Sequence, residues 1–279
     1  MNLVKQKSQI TYDSRSSLSI SSLLDSLLES KELTWRFFLK DLKAQYMQSF
    51  IGWLWIFAYP VSIVITFTIL SSSGVIHVGV LNIPYPIYAF TGITIWQVFA
   101  NGLNLAANSI TNAGTFVVKI NFSKISLVIS SIAQVIPEFF IKTLMIVILY
   151  IIYGKMPPIT ILLLPLLIIP LIILTLGLGL IAALLNTVTR DIQNIISLVI
   201  NLLLFFIPIM YTAPSISIIA KINTFNPLYY LVIVPRNIIL YGSSQDLNGY
   251  LLSVIVAIFF FFLGLTVFLK SQSKITESI

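Results

Sequence analysis

The chain has 279 residues, of which 58% are hydrophobic and only 9% are charged, with a formal net charge of +7. A soluble domain would carry about a quarter charged residues, so the composition indicates an integral membrane protein and leaves little room for a separate soluble domain. Because the basic residues flank apolar segments and form no single patch, the positive charge does not indicate a nucleic-acid-binding protein.

Residues 1–30 are polar and rich in serine, and they are the only stretch expected to lie wholly outside the bilayer. They lack the apolar core and the small-residue cleavage site of a signal peptide. We therefore expect this stretch to be retained as a cytoplasmic N-terminus.

Residues 31–49 are predicted to form an amphipathic helix at the membrane surface. At 100° per residue, one face carries Trp35, Phe38, Leu39, Leu42 and Tyr46, and another carries Arg36, Lys40 and Lys43. Such a helix lies in the headgroup plane, beside the lipid phosphates. Two interpretations remain open: a simple surface anchor, or a site at which these three basic residues bind a lipid diphosphate.

Six segments are long and apolar enough to cross the hydrocarbon core, which takes about 20 residues of helix. They are residues 50–71, 85–107, 125–153, 159–186, 192–212 and 249–269. The second is the most polar, with Asn101, Asn104 and Asn108 towards its end, which is typical of a helix that faces a partner or a water-filled path. The sequence thus predicts an all-α membrane protein, with the membrane domain at 50–270 and a cytoplasmic tail at 271–279.

The basic residues orient the predicted spans. With the N-terminus inside, the cytoplasmic side holds Lys5, Lys7, Arg15, Lys31, Arg36, Lys40, Lys43, Lys119, Lys124, Arg190, Lys270 and Lys274. The outer side holds only Lys155, Lys221 and Arg236, and Lys142 lies within a span. Because cytoplasmic loops carry the excess of lysine and arginine, both termini are predicted to be cytoplasmic.

Two opposite charges lie deep in the third span. Glu138 and Lys142 follow Pro137 and sit about 20 Å along the helix from its inner end. A glutamate four residues before a lysine is the favourable order for a pair on one helix face. Charges at this depth are costly unless they are paired, so two interpretations remain: a structural pair between helices, or residues that line a wet path.

Residues 214–241 do not fit a seventh span. The segment is broken by Pro214, Pro227 and Pro235, and it carries Lys221 and Arg236. Each piece between the prolines is too short to cross, and a seventh span would place the C-terminal lysines outside. We therefore predict short re-entrant helices that dip into the outer leaflet, since irregular backbone at that depth is tolerated only against protein or a wet cavity.

The chain lacks the sequence patterns of a nucleotide site and of a thiolate metal site. There is no Walker A pattern, since Gly154 and Lys155 are followed by methionine and lack the upstream glycine. The chain has no cysteine, and its one histidine, His77, lies in a short loop. Any ATP-driven step therefore needs a partner.

An ordered series of motifs runs from about Leu33 to Gly242. It comprises TWRFFLKDLKAQYMQSFIGWLW at 34–55, PYPIYAFTGITIWQVFANGLNLAANSITN at 84–112, VVKINFSKI at 117–125, GLGLIAALLNTVTRDI at 177–192, PIMYTAP at 208–214 and NPLYYLV at 226–232. With this series the chain resembles the permease subunit of the type-2 ABC exporters that move cell-envelope polysaccharides, including O-antigens, capsules and teichoic acids.

The resemblance implies a homodimer in the cytoplasmic (inner) membrane, joined by two copies of a cytoplasmic ABC ATPase subunit. The chain itself would be a channel-forming permease and not an enzyme, and it would hold no cofactor, since the ATPase would bind ATP and Mg²⁺. The substrate would be a polysaccharide on a polyprenyl diphosphate lipid, with O-antigen as the first candidate. Membrane lipids are expected partners, and nucleic acid is not.

The loop at about 111–124 is the predicted coupling element. A short apolar helix here needs a pocket to cover it, which an ATPase subunit would supply; the alternative is a helix that lies on the lipid. The candidate residues are Gly114, Phe116, Val117, Lys119 and, in the next cytoplasmic turn, Arg190.

Aromatic side chains are candidates for a glycan channel, because the apolar faces of sugars stack on aromatic rings. The candidates are Trp53, Tyr59, Trp96, Phe99, Phe205 and Phe206. Positions in the interfacial aromatic belt explain some of them equally well, Trp53 in particular.

Two other functions stay open. One is an ABC permease for a drug or a small lipid, which composition alone does not distinguish. The other is a membrane-embedded enzyme that modifies glycans, which would need acids or a histidine in its loops for acid–base chemistry. Only His77 and Asp246 are predicted to stand outside, so the sequence favours this alternative least.

Overall fold

The computed structural model describes residues 30–47, 52–74, 81–114, 123–189, 191–211, 218–244 and 246–278. Within these ranges all regular structure is helical, as predicted. The α-helices are α1 (Lys31–Met47), α2 (Trp55–Ser72), α3 (Tyr85–Ala113), α4 (Ile125–Ala133), α5 (Val135–Ile152), α6 (Leu164–Leu167), α7 (Ile169–Val188), α8 (Asp191–Phe206), α9 (Ile218–Thr224), α10 (Pro227–Tyr241) and α11 (Leu247–Ser278). Short 3-10 turns at Gly52–Leu54 and Ile159–Leu163 precede α2 and α6.

Four segments of the described chain are long and apolar enough to cross a membrane: Trp55–Ser72, Ile125–Ile152, Ile159–Val188 and Leu247–Ser271. They confirm four of the six predicted spans. The other two predicted spans form helices but do not meet the same criteria. Helix α3 has 29 residues and is too polar, whereas α8 is apolar and has only 16 residues.

Helix α3 is the centre of the bundle. It packs against α7, α4, α5, α2, α8 and α10, and every residue from 87 to 100 is buried. A helix that is enclosed by protein needs no lipid-compatible surface, which explains why this span can be the most polar of the predicted set. Its residues Asn101, Asn104 and Asn108 hydrogen-bond to other helices, and the first two also line a cavity.

Proline breaks two of the membrane-crossing segments. Pro137 lacks a backbone N–H, and its ring crowds the carbonyl four residues earlier, at Ala133, where α4 ends. Pro170 stands in the same relation to Leu166, next to the end of α6 at Leu167. The predicted spans 125–153 and 159–186 are therefore assembled from helical pieces and are not single uninterrupted helices.

Helix α8 ends at Phe206, whereas the fifth span was predicted to continue to 212. Pro208 cannot continue the helical hydrogen bonding, and the free carbonyls of the turn are bound from another helix. Arg236 Nη1 donates to the carbonyls of Pro208 and Ile209, at 3.2 and 3.0 Å. The guanidinium carbon also lies 4.2 Å from the centre of the Tyr88 ring. Arg236 is thus a buried residue that holds this turn.

The segment predicted to hold short re-entrant helices forms α9 and α10. Helix α10 starts with proline at Pro227, after Asn226, whose Oδ1 accepts the backbone N–H of Leu228 at 3.1 Å. With 15 residues, α10 is about 22 Å long, which is shorter than the hydrocarbon core of about 30 Å. Neither helix is long enough to cross. The first residues of the predicted segment, 214–217, lie outside the described ranges.

Helices α7 and α11 approach each other closely at two glycines. A Cβ atom at Gly264 would meet the backbone of Gly177, and a Cβ atom at Gly177 would overlap the backbone of Phe260. Small residues allow the backbones of membrane helices to pack in this way. This contact joins the fourth predicted span to the last.

Helix α1 forms most of the predicted surface helix and packs against α4. The side chain of Phe37 packs against the core. Phe37 lies on the side of the helix opposite the predicted apolar face. Trp35, on the predicted face, is 58% exposed and stacks on Phe38 with ring centroids 5.2 Å apart. The helix therefore docks on protein by one side and presents aromatic rings on the other.

Candidate substrate cavity

A cavity of about 440 Å³ opens between α2, α3, α5 and α8. Small-molecule sites usually have volumes of about 300–1,000 Å³. The lining residues are Trp55, Ile56, Tyr59, Trp96, Gln97, Ala100, Asn101, Asn104, Glu138, Lys142, Ile200 and Asn201. Amide, charged and aromatic side chains thus converge on the cavity. It lies near the middle of the segment Ile125–Ile152, since Glu138 is about 20 Å along the helix from either end.

The Glu138–Lys142 pair forms the charged wall of the cavity. Lys142 Nζ lies 3.0 Å from Glu138 Oε2, and both residues are buried. Asn101 Nδ2 donates a second hydrogen bond to the same oxygen, at 3.2 Å. The pair is therefore formed within one helix rather than between helices, with Asn101 as its link to α3. Pairing and hydrogen bonding offset the cost of burying two charges.

A network of amide side chains extends from the cavity along α3. Asn104 Oδ1 accepts hydrogen bonds from Gln193 Nε2 at 2.9 Å and from Ser197 Oγ at 3.3 Å. One turn further, Asn108 Oδ1 accepts a hydrogen bond from Asn186 Nδ2 at 3.2 Å. These bonds tie α3 to α8 and α7, so the polar face of α3 is held by neighbouring helices.

Gln97 differs from the other amides of the cavity. It is only 5% exposed, and its Oε1 has no hydrogen-bond partner among the described residues. A buried polar atom without a partner costs on the order of 1–3 kcal/mol. The oxygen itself is closed to solvent, so it does not face the open part of the cavity.

Two of the six aromatic candidates, Tyr59 and Trp96, line the cavity. They are joined there by Trp55, another ring of the first predicted span, which is 57% exposed beside the opening. Phe99 is not part of the lining: its ring packs 5.5 Å from that of Trp96 in the hydrophobic core.

Two further aromatic candidates are not brought to the cavity. Phe205 and Phe206 are exposed at the end of α8 and do not belong to the lining. The side chain of Trp53 lies outside the described part of the chain. The structure thus separates a small aromatic group at the cavity from aromatic residues near the ends of the helices.

Sequence reasoning missed Gln97 and Asn201, although a signal for Gln97 was present. Gln97 precedes Asn101 by four residues, and Asn104 and Asn108 follow at intervals of three and four. This spacing places all four amides on one face of a helix. An uninterrupted row of amides on one face of a membrane helix predicts a polar site.

The all-helical bundle and its buried polar cavity agree with the comparison to known proteins. The sequence profile described as ABC-2 type transporter matches residues 31–240. The chain belongs to this family. It is therefore a transmembrane, non-catalytic permease subunit, and a permease of this kind works with a separate ATPase subunit. The resemblance inferred from the motifs is confirmed at the level of the family.

Two relatives of the permease carry the same name. The protein named O-antigen export system permease protein RfbA from Myxococcus xanthus is 25% identical over 244 residues, which cover 86% of this chain and 92% of the relative. A protein of that name from Klebsiella pneumoniae is 27% identical over 242 residues, covering 85% of this chain and 91% of the relative.

Most of the candidate coupling residues of the permease lie outside the described ranges: Phe116, Val117, Lys119 and Arg190. Gly114 is described, and it ends α3 with a φ of +53°, a conformation that glycine adopts readily. Because α3 continues to Ala113, the loop predicted to begin at 111 begins at Gly114 instead.

The predicted diphosphate-binding bases of α1 are exposed. Arg36 Nη2 lies 2.7 Å from Glu32 Oε1, and Lys40 Nζ lies 3.8 Å from Asp41 Oδ1. Partial burial raises the pKa of Asp41, against the opposing effect of Lys40. Exposed ion pairs contribute only about 0–1 kcal/mol, so these two pairs leave Arg36 and Lys40 accessible to an anion. Lys43 is exposed as well.

Replacing Glu138 with glutamine, or Lys142 with methionine, should lower the free energy of unfolding of the permease by about 3–5 kcal/mol, because each change leaves a buried charge without its partner. The double variant should lose much less than the sum. Folded yield and thermal unfolding in detergent would measure this double-mutant cycle.

Glu32 and Arg36 have the same spacing on an exposed face and serve as a matched control. The coupling free energy between them should be near zero. Additive losses at Glu138 and Lys142 would show that the two charges are not coupled.

Proposed function

We propose that the chain is the transmembrane subunit of an ATP-driven exporter that moves polyprenyl-diphosphate-linked polysaccharide, with O-antigen as the first candidate, across the cytoplasmic membrane. The observation that carries this proposal is the cavity, where aromatic and amide side chains meet deep in the bundle. Aromatic faces stack on sugars, and a few placed polar groups orient a ligand. The relatives named O-antigen export permeases, aligned over most of both chains, support the same substrate class.

In this proposal two copies of the chain enclose the path. The cavity opens past Trp55, Tyr59 and Asn201, whose side chains are exposed in the single chain. An asparagine amide that faced lipid at this depth would lack hydrogen-bond partners. A second copy of the chain, with water and glycan between the two, would satisfy it. Two copies of an ATPase subunit would complete the exporter.

The proposed topology keeps the six crossings and places both termini in the cytoplasm. The crossings would be α2, α3, the α4–α5 segment, the segment from 159 to 188, α8 and α11. The turn that Arg236 holds would extend the short α8 towards the outer surface. Helices α9 and α10 would lie in the outer leaflet beside the exit. The distribution of lysine and arginine along the sequence supports this orientation.

The substrate would enter from the inner leaflet. Arg36, Lys40 and Lys43 are exposed on α1, and at the headgroup level a cluster of bases attracts anionic lipid groups. The diphosphate would bind to these bases while the glycan moves towards the cavity. The Phe116–Val117 loop and Arg190 would transmit the ATPase cycle from the cytoplasmic side.

Deletion of the gene tests the proposal. A strain without the permease should make complete lipid-linked polysaccharide, retain it on the cytoplasmic face of the membrane and show none at the cell surface, and the wild-type gene should restore the surface glycan. Immunoblots of surface and total glycan would measure this distribution. Normal surface polysaccharide in the deletion strain, with no duplicate gene present, would contradict the proposal.

A further inference from the structure

We infer that an apolar groove between α2, α3 and α5 binds an anionic phospholipid, with one acyl chain in the groove and the phosphate at Lys155. The inference goes beyond the proposed transport, because it names a lipid that the permease would hold rather than export. Its supports are an open apolar groove, a basic residue at the end of that groove, and the separation of the groove from the substrate cavity.

The groove has a volume of about 340 Å³ and is lined mainly by apolar side chains. Val64 and Phe90 are buried and form its floor. Ile65, Ile69 and Tyr153 form its rim and are 52%, 59% and 45% exposed, so the groove is open to a ligand. Because water finds few hydrogen-bonding groups on such a surface, hydrocarbon is the favoured occupant.

The length of the groove matches the depth of one membrane leaflet. Its lining residues run from 61 to 69 on α2 and from 145 to 153 on α5, and eight residues of helix rise about 12 Å. Half of the hydrocarbon core is about 15 Å deep. One phospholipid acyl chain can therefore lie along the groove, with its headgroup at the level where α5 ends.

The end of α5 holds Lys155 beside the end of the groove. Gly154 has a φ of +64°, and the backbone N–H of Lys155 donates to the carbonyl of Tyr150 at 2.9 Å, as in a Schellman turn. The ammonium of Lys155 donates to the carbonyl of Asn82, also at 2.9 Å, in the segment that leads into α3. Lys155 thus joins the ends of two of the three helices that form the groove.

The charge of Lys155 favours an anionic headgroup. Its side chain is exposed, and no carboxylate in the described part of the chain forms an ion pair with it. An ammonium has three N–H donors, and the carbonyl of Asn82 accepts one of them. The other two can donate to a lipid phosphate in charge-assisted hydrogen bonds. In a zwitterionic lipid the positive headgroup offsets the phosphate charge, so a lipid with a net negative charge should bind more tightly.

The groove is separate from the substrate cavity, and the two share no lining residue. On α2, Trp55 and Tyr59 line the cavity, whereas Val61 and Thr68 line the groove. At 100° per residue these two pairs lie on largely opposite sides of the helix. A glycan in the cavity and a lipid in the groove can therefore be bound at the same time, which favours a resident phospholipid over the exported lipid as the occupant.

Photolabelling of the full-length permease in detergent tests the inference. The probe is phosphatidylglycerol with a diazirine in one acyl chain, and the matched probe is phosphatidylcholine with the same chains. Mass spectrometry of the digested protein locates the adducts and measures their yield. Within residues 61–69 and 145–153 we expect at least fivefold more labelling by phosphatidylglycerol, and we expect unlabelled phosphatidylglycerol to compete with it.

Two variants with matched controls assign the site to residues, and size-exclusion chromatography checks that each is folded. Lys155→Ala should lower labelling by phosphatidylglycerol to the level of phosphatidylcholine, whereas Lys155→Arg should keep the preference. Lys221→Ala removes another exposed base and should also keep it. Ile65→Trp fills part of the groove and should lower labelling by both lipids at least fivefold. Leu162→Trp adds the same side chain at a position that is 74% exposed and outside the groove, and it should change nothing.

Equal labelling of the wild-type groove by the two lipids would overturn the inference, and so would a folded Ile65→Trp variant that is labelled like the wild type. Displacement of the probe by undecaprenyl phosphate as efficiently as by phosphatidylglycerol would overturn the assignment to a phospholipid and point to the exported lipid. The labelling needs neither ATPase nor glycan, so its failure is distinct from failure of the proposed function, which shows as normal surface polysaccharide in the deletion strain.

Discussion

Replacing Phe116 with aspartate is expected to abolish export while the permease still inserts into the membrane. The loop that follows Gly114 is apolar and too short to form a stable helix by itself. We propose that it docks in an apolar pocket of the ATPase subunit. A carboxylate in that pocket would lose its hydration without gaining a partner, at a cost of several kcal/mol. Surface polysaccharide should fall at least about tenfold, which corresponds to about 1.4 kcal/mol of lost association.

Co-purification of the ATPase with tagged permease, measured beside surface polysaccharide, checks this expectation. Phe116→Leu is the matched control, because it keeps an apolar side chain at the same position and should retain both the ATPase and export. If Phe116→Asp keeps the ATPase bound and exports at the wild-type rate, the loop is not the coupling element. Equal loss in both variants would point to a requirement for the ring itself and would contradict the apolar-pocket explanation.

Replacing Gly177 with valine is expected to prevent the permease from folding. A side chain there would overlap the backbone of Phe260 and Phe261 in α11, and backbone cannot move aside as a flexible side chain can. Overpacking a core usually costs about 1–3 kcal/mol, and a clash between a side chain and the backbone of another helix should reach or exceed the upper end of that range. The variant should give little monodisperse protein in detergent.

Size-exclusion chromatography of the detergent-solubilised variants measures this loss. Ala58→Val adds apolar bulk at an exposed position of α2 and should leave the folded yield unchanged. Recovery of Gly177→Val at the wild-type yield and melting temperature would mean that α7 and α11 do not cross as closely as the structure shows.

Features that depend on local spacing could be predicted from the sequence. Helix geometry brings residues four positions apart onto one face, so Glu138 and Lys142 were expected to be neighbours, and the structure places their charged atoms 3.0 Å apart. Four of the six predicted spans follow in the same way, because apolar length alone defines a membrane-crossing segment.

Features that depend on tertiary packing could not be predicted. Asn101 reaches Glu138 across 37 positions of sequence, and Gln193 reaches Asn104 across 89; which helices meet is not encoded in any local pattern. The end of α8 depends partly on Arg236, a residue of α10 that binds the carbonyls of the turn. The exposure of Phe205 could not be predicted either, because it depends on which face of α8 packs inward.

Transport in proteoliposomes tests the central claim, that this chain conducts a lipid-linked glycan and that a separate ATPase drives it. Purified permease and its ATPase partner would be reconstituted with polyprenyl-diphosphate-linked polysaccharide, and the access of a glycosidase enclosed in the vesicles would be followed after addition of Mg-ATP outside. Glycan should become accessible only when permease, ATPase and ATP are all present, and the permease alone should hydrolyse no ATP. Equal glycan access without the ATPase, or ATP hydrolysis by the purified permease, would contradict the claim.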